Sequence, residues 1–121
     1  MRIVTKQEFY KLPNGTLYSE YEPCIFTGLK IKNDTIFNDV EPIDFFYEDL
    51  IGNVDANSSD DFLDILDKCE KDKSEFNLDF ECGSRDGLCE DDALYAVYNT
   101  DEILALSNKI AGCKGWELNA L

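Results

Sequence analysis

The sequence contains no histidine. That absence removes the commonest general base together with the commonest metal ligand, and it leaves a serine or cysteine nucleophile without its usual activating partner. Basic residues are scarce as well: 11 Lys and Arg stand against 26 Asp and Glu, for a formal net charge of −15. A surface that holds nucleic acid needs clustered Lys and Arg to displace counterions, so no direct nucleic-acid binding is expected. No run approaches the roughly 18 apolar residues that a membrane span needs, and residues 1–8 contain no apolar signal region. A cytoplasmic chain with no membrane partner is the expectation. The five cysteines, Cys24, Cys69, Cys82, Cys89 and Cys113, include no C-x-x-C pair, unlike a disulfide framework or a zinc ribbon. Free, mostly buried thiols follow. Cys82 and Cys89 flank Gly83–Gly87, but Arg85 is the only nearby base to favour a thiolate, so a redox pair is not expected.

Glycine-rich phosphate motifs are missing too. Asp55, Asn57 and Ser59 offer oxygens at positions 1, 3 and 5 of a calcium loop, yet Asp60 stands where the sharp turn needs Gly and Leu66 where a bidentate Glu is required. Paired carboxylates alone would be needed for glycosidase chemistry, and with 26 acids in so short a chain such pairs arise by chance. No catalytic residue, cofactor or metal site is expected.

What the sequence does contain is enough apolar surface for one domain. Its 121 residues are 44% hydrophobic and 12% aromatic, which excludes a disordered chain and fits a single domain over residues 1–121. Ile3-Val4 opens a short strand, and Thr5 with Glu8 has the spacing of a capping box. A short helix to about Leu12 should follow, ended by Pro13-Asn14-Gly15. Thr16–Glu22 and Cys24–Lys32 read as strands separated by Pro23, with Asn33-Asp34 as the next turn and Ile36-Phe37 as a short edge strand. From Ile43 to Leu50, Ile43, Phe45 and Tyr47 alternate with Asp44, Phe46 and Glu48, so a strand there carries its acids on the second face.

Ser58, followed by Asp60 and Asp61, caps a helix in which Phe62, Ile65, Leu66 and Cys69 recur at i, i+3, i+4 and i+7. It should end near Lys73. Glu75–Glu81 alternates throughout and predicts a strand, Gly83–Gly87 a turn, and Ala93–Tyr98 another strand. A last helix starts at Asn99 or Thr100 and stops at Gly112 as its C′ residue. The tail, Lys114–Leu121, carries the only tryptophan, Trp116. The order predicts an α+β fold: a mostly antiparallel sheet of four to six strands with two or three helices.

The acidity is regional. Residues 34–67 hold eleven acids and no Lys or Arg, and residues 75–102 hold nine acids against Arg85 alone, while the remaining segments are within two charges of neutral. Acids at helix starts are good caps, and Asp64 with Lys68 and Asp67 with Lys71 have the spacing of favourable ion pairs. Eleven uncompensated carboxylates nevertheless raise a self-repulsion that stability alone would not select. Asp60, Asp64 and Asp67 form a stripe spaced about 5–6 Å along one helix face, comparable to phosphates along a nucleic-acid strand.

Small size, strong acidity, free cysteines, an α+β pattern and no targeting segment before Thr5–Glu8 together make the chain resemble small phage-encoded anti-defence proteins, the anti-CRISPR inhibitors among them. The resemblance implies an inhibitor that acts in the host cytoplasm by binding a basic nucleic-acid-binding bacterial protein, in some cases as a nucleic-acid mimic; it carries over no functional residues. The charge pattern places the candidate partner-binding residues. In the first block they are Asp39, Glu41, Asp44, Glu48 and Asp49, with Phe46 as apolar anchor, followed by Asp60, Asp61, Asp64 and Asp67. In the second they are Asp79, Glu81, Glu90, Asp91 and Asp92. Trp116 is a further candidate for an interface. The alternatives are an immunity protein that neutralises a cognate toxin, a small ligand-binding domain or enzyme, and an acidic structural component; the sequence leaves the oligomeric state open.

Overall fold

A computed structural model describes residues 1–87 and 90–116. In chain order the elements are β1 (Arg2–Thr5), α1 (Lys6–Tyr10), β2 (Thr16–Glu22), β3 (Ile25–Asn38), β4 (Glu41–Asp49), β5 (Asn53–Val54), α2 (Ser59–Asp72), β6 (Leu78–Asp79), β7 (Gly83–Arg85), β8 (Leu94–Val97) and α3 (Thr100–Ala111). Six of the strands form one sheet in the order β1-β8-β2-β3-β4-β7, with every neighbouring pair antiparallel. The short strands β5 and β6 pair apart from it. The fold is α+β, as the element pattern predicts. No helix among the described residues is long and apolar enough to cross a membrane.

Thr5 closes β1 and opens α1. Its hydroxyl accepts from the Glu8 amide while the Glu8 carboxylate accepts from the Thr5 amide at 3.0 Å, and both partners of this reciprocal cap are visible in the sequence. Five residues are too few to hold a helix in water by backbone bonds alone. What keeps α1 in place is burial of Phe9 and Tyr10 against the sheet. Phe9 stacks on Tyr95 with ring centroids 4.1 Å apart, and meets Tyr18 and Phe45 edge-on at 4.7 and 4.9 Å. Val4 completes this core with Tyr10. On the other side, Ile103, Leu106 and Ile110 of α3 face Leu17, Ile31 and Leu50 across an open apolar crevice of about 350 Å³.

Several local elements differ from expectation, each because a distant partner intervenes. Asn33-Asp34 is no turn: β3 continues to Asn38, and the pair is absorbed where the register with β4 shifts between Lys32 and Thr35. Ile36-Phe37 therefore belongs to the far half of the long strand β3, which pairs with β4 alone. Of Glu75–Glu81 only Leu78–Asp79 is strand, because its partner β5 is two residues long and a strand cannot outrun its ladder. Gly83–Arg85, expected as a turn, is strand β7, which satisfies the outer edge of β4 by pairing with Phe46, Tyr47 and Glu48. Gly112 ends α3 as a right-handed cap rather than a left-handed one. The thiols are free, but Cys24 and Cys113 are exposed and Cys69 and Cys82 half-buried, a correction to the expected burial; Cys89 lies outside the described residues.

Cys24 occupies a position that suits glycine better. Pro23 and Cys24 form the two-residue loop between β2 and β3, and Cys24 takes φ +72°, at the place after proline where a type II turn favours Gly. Cys24→Gly is expected to raise the unfolding free energy by roughly 0.5–1 kcal/mol, once the freedom glycine adds to the unfolded chain is set against the relieved strain. Urea denaturation measures it, and a loss of stability would mean that contacts of the thiol outweigh the strain.

Candidate functional site

Helix α2 begins where Ser58 accepts from the Asp61 amide at 3.1 Å, and Asp61 in turn accepts from the Asn57 amide at 2.9 Å. It ends at Lys73 in the left-handed conformation. Its apolar stripe, Phe62, Ile65, Leu66 and Cys69, is only half-buried. These side chains lie over the helix's own flanking segments: Phe62 borders a crevice with Val54 and Ala56, and Ile65 and Cys69 border another with Phe76 and Asn77. No residue of α2 is buried. The helix thus stands on its flanks, and its opposite face looks into solvent.

That face carries Asp60, Asp64 and Asp67, all exposed, with Leu63 at its margin, exposed but bordering the same crevice as Phe62. Leu63, 63% exposed, is the one member the charge pattern does not single out, although its i+3 spacing from Asp60 is legible. Lys71 binds Asp67 at 2.9 Å, but Lys68 binds Asp72 at 3.1 Å rather than Asp64 as its spacing allowed. Among the described residues neither Asp60 nor Asp64 has an ion-pair partner. Exposed pairs of this kind hold at most about 1 kcal/mol, so Asp67 stays exchangeable.

The acids of β3–β4 divide in three. Asp39 and Glu41 are exposed at the hairpin tip. Glu48 and Asp49 are half-buried, Asp49 opposite Lys30 in the ladder and accepting from the Ile51 amide at 3.1 Å. Asp44 departs from expectation altogether. It is buried, its carboxylate taking the Arg85 guanidinium, the Phe45 amide at 2.8 Å and the Gly87 amide at 3.1 Å. Asp44 is thereby removed from the partner-facing set: alternation does put it on the face away from Phe45, but Arg85 of β7 covers it there. Phe46 remains 44% exposed, directly across from Arg85.

In the second block, Asp79 is half-buried and turned to its own chain. Hydrogen bonds from the Glu81 amide, then from Cys82, hold its carboxyl below the usual range. The same contact, with burial, pushes the Cys82 thiol up, so Cys82 is a thiol rather than a thiolate. Glu81, Glu90, Asp91 and Asp92 are exposed. Glu90 and Asp92 join Glu20, Glu22 and Asp86 around an open cleft of about 250 Å³, a grouping that strand pairing creates and that no local pattern announces. Glu20 is bound to Lys30 at 2.9 Å, and the Glu90 carbonyl accepts from the buried Lys6 ammonium at 3.2 Å. Trp116 is 63% exposed.

The candidate residues are therefore spread over the outer face of α2, the β3–β4 tip, the far end of β4, the β6–β7 connection and the rim of the cleft, with Asp44, Asp61 and Asp79 serving the fold. Among the described residues no group of three or more Cys, Asp or Glu is arranged to hold a metal ion. The surfaces offer charge and exposed apolar side chains for binding.

Burial pushes the Asp44 carboxyl up, but the Arg85 contact and the amides of Phe45 and Gly87 outweigh it, and the net shift is downward. A carboxyl lowered in the folded state adds stability above its ordinary pKa near 3.9 and loses it as the pH falls further. Asp44→Asn is expected to cost about 2 kcal/mol at neutral pH, and the difference from the unaltered chain should shrink below about pH 4. Denaturation at neutral and acid pH tests this; a difference independent of pH would dissociate Asp44 ionisation from stability.

No protein-family model, no curated protein and no solved structure matches the chain.

Proposed function

We propose that the protein is a non-enzymatic acidic inhibitor that binds a basic nucleic-acid-binding protein of a bacterial host, such as a CRISPR effector complex, and occupies the surface meant for nucleic acid. The outer face of α2 carries this reading. Asp60, Asp64 and Asp67 are exposed there at helical spacing with Leu63 at their margin, on a helix that buries none of its residues. A basic channel shaped for phosphates would accept such a row of carboxylates, and Leu63 would give the row an apolar contact that phosphates lack. The acids of residues 34–67 other than Asp44, with no Lys or Arg in that segment, would steer association and make it fast and sensitive to salt. Asp39, Glu41, Glu48 and Asp49, together with Glu81, Glu90, Asp91 and Asp92, extend the negative field, and the host cytoplasm is where such a partner would be met.

The test is an affinity pull-down from host extract with mass spectrometry, using the full chain and its Asp60→Lys, Asp64→Lys, Asp67→Lys triple variant. The unaltered chain is expected to retain a basic nucleic-acid-binding protein at low salt, to release it at high salt and to lose it to competing nucleic acid. The triple variant should bind at least about tenfold more weakly. Retention that ignores both salt and charge reversal would overturn the proposal.

A further inference from the structure

The β3–β4 hairpin ends in a two-residue loop, Asp39-Val40, closed by the pair Asn38 and Glu41. Loops this tight favour Gly, Asn, Asp and Ser. Asp39 fits, since it takes φ +52°, a conformation that Asp tolerates. Val40 does not: it is a β-branched apolar side chain, 87% exposed at the tip. Behind it Phe37 lies across the ladder from Pro42, and Ile43 falls where the register shifts. Phe37 and Ile43 are 58% and 43% exposed. Single exposed apolar residues are ordinary, but here the most exposed large apolar side chain among the described residues sits at a loop position that favours small polar residues, with two more exposed apolar side chains behind it. Local rules that fail without compensation mark positions kept for another purpose.

The charges around the tip say what covers it. Asp39 and Glu41 flank Val40, both exposed, and the sequence supplies no Lys or Arg between residues 34 and 67. Arg85, the base nearest along the β4 edge, is engaged with Asp44. A second copy of this chain would bring another net charge of −15, and nucleic acid or an anionic lipid surface would repel the two carboxylates in the same way.

We propose that the β3–β4 tip is a wedge that inserts Val40, backed by Phe37 and Ile43, into an apolar pocket rimmed by Lys and Arg on the partner protein. Asp39 and Glu41 meet the rim while the apolar centre is desolvated, the arrangement in which a few side chains dominate an interface. The inference rests on the acidic-inhibitor reading for the sign of the partner's charge, and it adds an anchor separate from α2.

The experiment uses the full chain with a photoreactive benzoylphenylalanine in place of Val40, and a Val40→Asn variant, against the basic protein that the unaltered chain retains at low salt. Asn suits the turn, so the thermal midpoint of Val40→Asn should stay level or rise, while its affinity falls about tenfold with the salt dependence unchanged. The crosslink should map to an apolar partner residue with Lys or Arg beside it. If the partner is retained in a salt-sensitive manner but no crosslink forms at position 40 and Val40→Asn binds within twofold, the wedge is wrong and the acidic reading stands. Crosslinking to a second copy or to nucleic acid also overturns the wedge. If no salt-sensitive partner is retained by the unaltered chain, the underlying reading fails, and the wedge with it.

Discussion

The six-stranded sheet at the centre of this fold depends on one aromatic ring from a five-residue helix. Phe9 has no exposed surface and touches Tyr18, Phe45 and Tyr95, which come from three different strands. Truncation of such a ring costs about 3–5 kcal/mol, a large part of a small domain's stability. The capping box at Thr5 and Glu8 sets the entry angle that lets α1 deliver the ring, so a local hydrogen-bond pattern and the central packing contact are two halves of one device. Burial also pushes the Tyr18 and Tyr95 hydroxyls upward, with Asp86 adding to it, so both phenols stay protonated.

The chain divides its labour along the same line as its charge. Val4, Phe9, Tyr10 and Tyr18 come from the nearly neutral first segment, and each acidic block lends the core a single ring, Phe45 or Tyr95. Ala96 is also buried, and Tyr47, Ala93 and Val97 pack half-buried against the core, while most acids of the two blocks stay at the surface. Helix α2 stands on its own flanks, the β3–β4 tip projects apolar side chains between acids, and the cleft beside Tyr95 gathers carboxylates from β2 and from the segment before β8. Charge repulsion that would disrupt a core is tolerated at these places because solvent screens it there. Among the described residues Asp44 is the one buried acid, and Arg85 and two amides satisfy it there and fasten β7 to the sheet.

What could be read along the chain was what depends on neighbours in sequence. The caps at Thr5, Ser58 and Asn99 all form as spaced, because a cap needs only residues three positions away. The segments that depart from their local pattern do so because of strand pairing, missing in one case and present in another. Glu75–Glu81 alternates without interruption yet has only Asn53-Val54 to pair with, and Asn33-Asp34 has turn chemistry but is overridden by continued pairing of β3 with β4. The stripe on α2 is legible for the same reason as the caps, whereas Leu63 beside it carries no charge to mark it.

The sequence by itself determined the sign of the surface, the segments that carry the charge, the helix boundaries and the α+β class, since composition and short-range spacing suffice for these. Only the tertiary structure decided which acids face outward. Asp44 is withdrawn by an arginine 41 residues further on, Glu20 and Glu22 are brought to Glu90 and Asp92 by the insertion of β8 beside β2, and Val40 becomes a tip because β3 runs past its expected turn. Each of these outcomes depends on which strands pair, and pairing is settled by burying Phe9, Tyr18, Phe45 and Tyr95 together, a contact between residues far apart in the chain.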